Sequence, residues 1–220
     1  MIDWAWLIDH VPALLYRTSQ HVVMAAVAVA VGLAISFALG LVAVRRRRLY
    51  PPFVLVAGLV YTIPSLALFA ALVPIMGLSI LTAEIPLVLY TLVILFRNVV
   101  AGFDAVPPDV REAADALSYT GTSRLVRIEL PLAVPLITAG LRVATVSTIG
   151  LVTITATLGD AFGGLGFFIF EGARRSFPTE IYAGAIPTIL LALVLDRLFV
   201  RLQARLTPWE RRRPEGATPG

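Results

Sequence analysis

Lysine and cysteine are both absent from this 220-residue chain, and His10 and His21 are its only histidines. Without cysteine, disulfides and thiolate metal sites are excluded, and the redox state of the compartment cannot be read. Two histidines do not make a histidine metal cluster. Without lysine, no P-loop can bring an ammonium group to the β- and γ-phosphates of a nucleotide, so an ordinary Walker-type ATPase site is excluded too. Charge is also scarce. Charged residues are 15% of the chain, hydrophobic residues 58%, and the mean hydropathy is +0.87. That balance is far too apolar for a soluble domain of this length and places the chain in a bilayer. The opening Met1-Ile2-Asp3-Trp4-Ala5-Trp6 lacks a positive leading region and a cleavage site, so no signal peptide is expected.

Long uncharged runs dominate what is present. Residues 22–44 contain no ionisable side chain, and about 20 apolar residues suffice to cross the hydrocarbon core as a helix. Gly32, Ser36 and Gly40 recur every four residues along this first span, a stripe of small residues that permits a close helix neighbour. Further spans are expected at 52–75, 82–102, 132–158 and 181–200, with a loop or re-entrant segment at 159–180. Pro74, Gly77 and Ser79 mark the exit from the second span. In the fifth span Asp196 and Arg197 are expected to snorkel towards the surface. Residues 1–20 read as an interfacial segment, in which Trp4, Trp6 and Tyr16 suit the membrane boundary. Residues 207–220, rich in Pro, Gly and Arg, read as a disordered tail. The expected fold is an all-α membrane protein of about five spans.

Arginine supplies all eighteen positive charges. Fourteen of them fall on one side of this topology: Arg45 to Arg48, Arg97, Arg111, Arg124, Arg127, Arg197, Arg201, Arg205 and Arg211 to Arg213. Arg17, Arg174 and Arg175 fall on the other, and Arg142 lies within the fourth span. By the positive-inside rule the richer side is cytoplasmic, which puts the C-terminus inside and the N-terminus outside. The net charge of +4 therefore reports topology rather than nucleic-acid binding, since the arginines form short clusters beside apolar segments.

Between the third and fourth spans lies a polar island at 103–131. Its Glu112-Ala113-Ala114-Asp115-Ala116-Leu117 run is strongly helix-forming, Pro107-Pro108-Asp109 offers a start with a cap, and Pro131 an end. A short helix pair outside the bilayer, held between two spans, suits a groove on a soluble partner. The spacing Glu112-Ala113-Ala114, then Ile128, then Leu130-Pro131, resembles the cytoplasmic signature loop of permease subunits in bacterial ATP-binding-cassette importers. That signature has glycine six residues after its glutamate. Here the position is Ser118, with Gly121 three residues further on, so a shifted or differently built turn is expected. The resemblance implies that Ala113 and Ala114 pack closely against an ATPase subunit while Glu112 and Arg111 make polar contacts at its edge.

The resemblance extends over residues 20–200. Tyr61-Thr62-Ile63-Pro64-Ser65, Tyr90-Thr91 with Phe96-Arg97-Asn98, Gly140-Leu141-Arg142-Val143-Ala144-Thr145, Gly163-Gly164-Leu165-Gly166 and Ala183-Gly184-Ala185-Ile186-Pro187 are similar to permeases for glycine betaine, choline, carnitine or proline betaine. It implies a type I importer fold like that of methionine permeases. It also implies an ATPase dimer, a second permease subunit, identical or paralogous, and an extracytoplasmic binding protein. ATP and Mg would then sit on the ATPase partner, with no cofactor on this chain, in the multi-pass setting of a bacterial inner membrane. The alternatives are a permease for methionine or another small amino acid, and an ATP-independent channel or osmotic valve. A membrane enzyme is disfavoured, because no acid-base constellation, metal cluster or activated nucleophile is readable.

Candidate path residues follow from the chemistry of the spans. Pro64 frees a backbone carbonyl, and Thr62 and Ser65 beside it either satisfy that carbonyl or face a water-filled passage. In the hydroxyl-rich fourth span, Thr145, Thr148 and Thr155 can share one helical face, which lines a path or joins helices. Arg142 lies about 15 Å into that span and requires a partner or water. Quaternary ammonium ligands are generally held by aromatic cages, and no compact aromatic cluster is readable within the spans.

Overall fold

A computed structural model describes residues 2–208; Trp209, Arg211 to Arg213 and the rest of the expected tail lie outside the described residues. Every regular element described is helical. The elements are α1 (Trp4–Asp9), α2 (Val11–Arg45), α3 (Tyr50–Thr62), α4 (Ser65–Met76), α5 (Ile80–Asp104), α6 (Pro108–Ala116), α7 (Gly121–Arg124), α8 (Leu130–Ile154), α9 (Gly166–Arg174) and α10 (Pro178–Leu206). By length and composition α2, α5, the continuous stretch Gly121–Leu158 and α10 can each cross a membrane. The chain that precedes α5 supplies a fifth crossing if α3 and α4 together count as one.

The expected continuous helix over 52–75 is instead a helix broken at Ile63-Pro64, with its halves bent by 92°. Proline lacks an N–H and pushes the residue before it out of the α region. Ile63 accordingly has φ −70° and ψ 126°, and Pro64 is likewise extended. Pro131 shows the opposite outcome, because the helix runs through it rather than ending there. Its ring cannot donate to the preceding turn, and the hydrogen-bond register widens to a π turn over Leu125–Glu129, where the Leu130 N–H reaches the Leu125 carbonyl.

The small-residue stripe of α2 is its seam with α5. Gly32 lies on Thr91, Ser36 donates to the Leu92 carbonyl at 3.5 Å, and Gly40 meets Val99. On the opposite flank of α5, Gly140 of α8 admits the side chain of Asn98. Three core clusters result, one of them Ala43, Phe96 and Val100 between α2 and α5. Another joins Met24, Ala28, Phe69, Leu87, Ile149 and Val152 at the end of the bundle where α4 lies. The third joins Val99, Phe103, Ala133 and Ile137 at the end where α6 and α7 lie. His21 locks the α4 end: its Nε2 donates to the Ile149 carbonyl at 3.0 Å while Nδ1 accepts from the Leu165 N–H at 3.3 Å. One neutral imidazole thus ties α2, α8 and the 159–165 loop together. The outward faces of α3 and α10 expose Leu55, Val56, Leu59, Ile189, Leu193 and Val194, an apolar exterior suited to hydrocarbon.

Candidate translocation cavity and coupling loop

The break at Pro64 opens a cavity of about 420 Å³ between α3, α4, α5 and α8. Thr62, Pro64 and Ser65 line it from the bend, Tyr90 and Thr91 from α5, and Ser147 and Thr148 from α8. The bend's freed Ile63 carbonyl accepts from the Tyr90 hydroxyl, so a tyrosine rather than Thr62 or Ser65 satisfies it. Thr62 donates to the Leu59 carbonyl, Thr91 to Val88 and Thr148 to Ala144, each at 2.7 Å. Tyr61 also lines the cavity, its ring 5.6 Å from that of Tyr90 with the planes inclined at 68°. This pair escapes a reading by local spacing because its members stand on different helices that only the fold brings together.

Thr145 and Thr155 do not join Thr148 on the cavity wall. Both are buried, with hydroxyls returned to the Leu141 and Val152 carbonyls. Thr155 opens the 3₁₀ turn Thr155–Leu158 at the end of α8, where the helical period that aligned it with Thr148 stops. Arg142 faces α10 and pairs with Asp196 through two hydrogen bonds, Nη2 to Oδ2 at 2.9 Å and Nε to Oδ1. Asp196, expected to snorkel, is thus hydrogen-bonded to Arg142. The cleft beside this pair shares Ser147 with the main cavity.

In the polar island, α6 begins at Pro107 with no side-chain cap, and Asp109 falls in its first turn. The helix ends in a Schellman turn: the Tyr119 N–H reaches the Ala114 carbonyl and the Ser118 N–H the Asp115 carbonyl. Ser118 occupies the left-handed position with φ 58°, where the importer signature has glycine. The turn thus stays at the signature's position, contrary to the expected shift, and Gly121 instead opens α7 behind the cap supplied by Thr120. Glu112 and Ala113 are exposed, whereas Ala114 is buried against its own chain. Ile128, Leu130 and Pro131 are half-buried at the start of the long helix.

Charge holds this loop to the bundle. Glu129 is buried between two arginines, Arg124 Nε at 3.1 Å and Arg111 Nε at 3.5 Å. Arg124 also pairs with Asp115, and Arg47 with Asp104. Arg111 is turned inward by these contacts and by a bond to the Phe103 carbonyl, so it is not at the loop's outer edge. Arg45, Arg47, Arg111 and Arg124 surround one cleft with Glu129. Glu129 was not among the residues singled out by sequence, although a lone acid flanked by Ile128 and Leu130 is the signal that could have found it. At the other end of the bundle Arg174 and Arg175 pair with Glu171, and Arg17 lies over the Phe167 ring at 4.1 Å.

A bundle of membrane-length helices, one broken beside a hydroxyl-lined cavity, with a short helix pair projecting from one end, is the architecture of a transporter's membrane component. The chain belongs to the family of binding-protein-dependent transport system inner membrane components, whose model matches residues 30–212. It is 38% identical over 208 residues to the osmoprotectant import permease protein OsmW of Salmonella typhimurium, covering 92% of this chain and 96% of that one. It is 32% identical over 195 residues to the choline transport system permease protein OpuBB of Bacillus subtilis, covering 89% of each. Among solved structures, an inward-facing conformation of the MetNI methionine ABC transporter matches with a TM-score of 0.78 at 17% identity, over 88% of this chain and 96% of that one. The fold is therefore that of a type I ABC importer permease.

Proposed function

We propose that the chain is the permease subunit of an ATP-binding-cassette importer that carries a quaternary ammonium osmoprotectant, such as glycine betaine, choline, carnitine or proline betaine, into the cell. The observation that carries this reading is near full-length similarity to osmoprotectant and choline permeases in a chain whose fold opens a hydroxyl-lined cavity beside a broken span. The end that gathers Arg45, Arg47, Arg111 and Arg124 is the cytoplasmic end, by the same positive-inside argument. The N-terminus is then outside, in the inner membrane of a bacterium.

ATP and Mg²⁺ bind a separate ATPase dimer. Its closure pushes on the exposed face of α6, formed by Glu112, Ala113, Ala116 and Leu117. Arg111 and Arg124 pass that movement to Glu129 at the foot of α8, and Arg47 joins the α2–α3 connection to Asp104 at the end of α5. A second permease subunit completes the path, and an extracytoplasmic binding protein delivers the solute.

The assembled complex, reconstituted in proteoliposomes, tests this reading by competition among labelled glycine betaine, choline and methionine. ATP-dependent uptake of glycine betaine or choline is expected, and Glu112→Lys or Leu117→Asp should abolish it while leaving membrane insertion intact. Uptake of methionine alone would reassign the solute, and uptake without ATP would identify a channel.

A further inference from the structure

We infer that the cavity at the Pro64 break is a station within the membrane for the solute's quaternary ammonium group, which rests there against the rings of Tyr61 and Tyr90. The inference rests on the osmoprotectant reading and adds to it a place on this chain where the solute itself is recognised. A trimethylammonium group offers no N–H, so hydrogen-bond donors gain nothing by facing it. What holds it is electron-rich surface: aromatic faces and oxygen lone pairs.

The cavity wall has that character. Tyr61 and Tyr90 stand 5.6 Å apart as two aromatic walls inclined at 68°. The hydroxyl hydrogens of Thr62, Thr91, Thr148 and Tyr90 are all directed at backbone carbonyls of Leu59, Val88, Ala144 and Ile63. Their oxygens therefore have only lone pairs left for an occupant. Among the described residues, the two tyrosines are the only ionisable groups that line the space. A cation is attracted without meeting a full countercharge, which suits a site that must release its occupant. The volume, about 420 Å³, lies in the range of small-molecule sites. Its position is central, since Thr91 is near the middle of α5 and packs on Gly32 near the middle of α2.

Tyr90 has two tasks in this arrangement, as a wall and as the strut that holds the Ile63 carbonyl. Tyr61 is half-exposed and bonded to nothing through its hydroxyl among the described contacts, so it is the cleaner probe of the ring face. The test is choline uptake by the full complex in proteoliposomes at saturating loaded binding protein, so that capture outside the membrane is not limiting. Assembly of each variant is checked by co-purification with the ATPase. Tyr61→Phe should keep the rate within about threefold, whereas Tyr61→Leu, which keeps apolar bulk without a ring face, should lower it about tenfold. Phenylalanines carrying one, two and three ring fluorines at position 61 preserve shape while draining the ring's electron density, and the rate should fall stepwise across that series. A wild-type rate in Tyr61→Leu, or no trend with fluorination, overturns the inference and leaves the permease reading standing. A wild-type complex that imports neither choline nor glycine betaine overturns both.

Discussion

Gly32 of α2 presses so closely on Thr91 of α5 that a Cβ at Gly32 would stand 1.8 Å from Thr91 Oγ1 and 2.9 Å from its Cβ. Thr91 is also a wall of the cavity, so the seam between these helices sets the width of the proposed path. In an isolated helix Gly32→Ala would gain about 1 kcal/mol of propensity. Here overpacking of about 1–3 kcal/mol opposes that gain. Thermal unfolding of the purified protein should show a net loss for Gly32→Ala and a larger one for Gly32→Val. Thr91→Ala removes the offending oxygen and should recover much of the Gly32→Ala loss, a non-additive result. Strict additivity of the two changes would show that the helices do not meet at this point.

Ser118 holds a left-handed backbone conformation in the turn that closes α6, and an L residue with a Cβ pays about 1–2 kcal/mol for it. Ser118→Gly should steady the turn by about 1 kcal/mol, and Ser118→Val should weaken it by more than the serine does. Hydrogen exchange of the Ser118 and Tyr119 amides, which bond back to Asp115 and Ala114, reads the change directly. Protection should rise several-fold in the glycine variant. Unchanged protection would mean that the turn does not limit opening of the loop.

These two sites also show how far sequence reasoning reaches. The stripe Gly32, Ser36, Gly40 was legible because helical spacing alone puts those residues on one face, and the island was legible because charge interrupts apolar runs. That the island turns was legible, but the place of the turn was not, since a serine at a glycine position leaves both an unchanged and a displaced turn open. The 92° break was not legible, because a proline within a span can be absorbed, as Pro131 is, or can break the helix, as Pro64 does. Ala114 faces inward and Glu129 anchors two arginines for reasons that lie in tertiary packing. Tyr61 and Tyr90 meet only once the break has turned α3 towards α5.

Glu171 on α9 accepts from Arg174 and also pairs with Arg175 at 2.6 Å, and these cations hold its carboxyl below the usual glutamate range. A carboxylate whose folded value is depressed adds stability above its unfolded value, about pH 4.3, and loses it as pH falls through the lower folded value. Asp160 is the other carboxylate acting on Arg174. Hydrogen exchange over residues 166–175, corrected for intrinsic rates, should be flat above about pH 5 and rise in more acid solution. Glu171→Gln should remove most of that dependence. A variant that retained the full acid response would show that Glu171 is not its source.

Arg142 and Asp196 join α8 to α10 well inside both helices, and each is the other's hydrogen-bonded counter-ion. An ion left without its counter-ion within a membrane helix is unfavourable. Asp196→Ala and Arg142→Ala should each destabilise the protein in reversible unfolding from mixed micelles, because each strands the other ion without its hydrogen-bonded partner. The double replacement Arg142→Leu with Asp196→Leu strands no charge and should recover most of the stability that either single variant loses. Because Ser147 borders both this cleft and the main cavity, uptake by the double variant separates two roles for the pair. Full uptake with restored stability makes the pair a fastener between helices, whereas restored stability with lost uptake makes its charge part of the path.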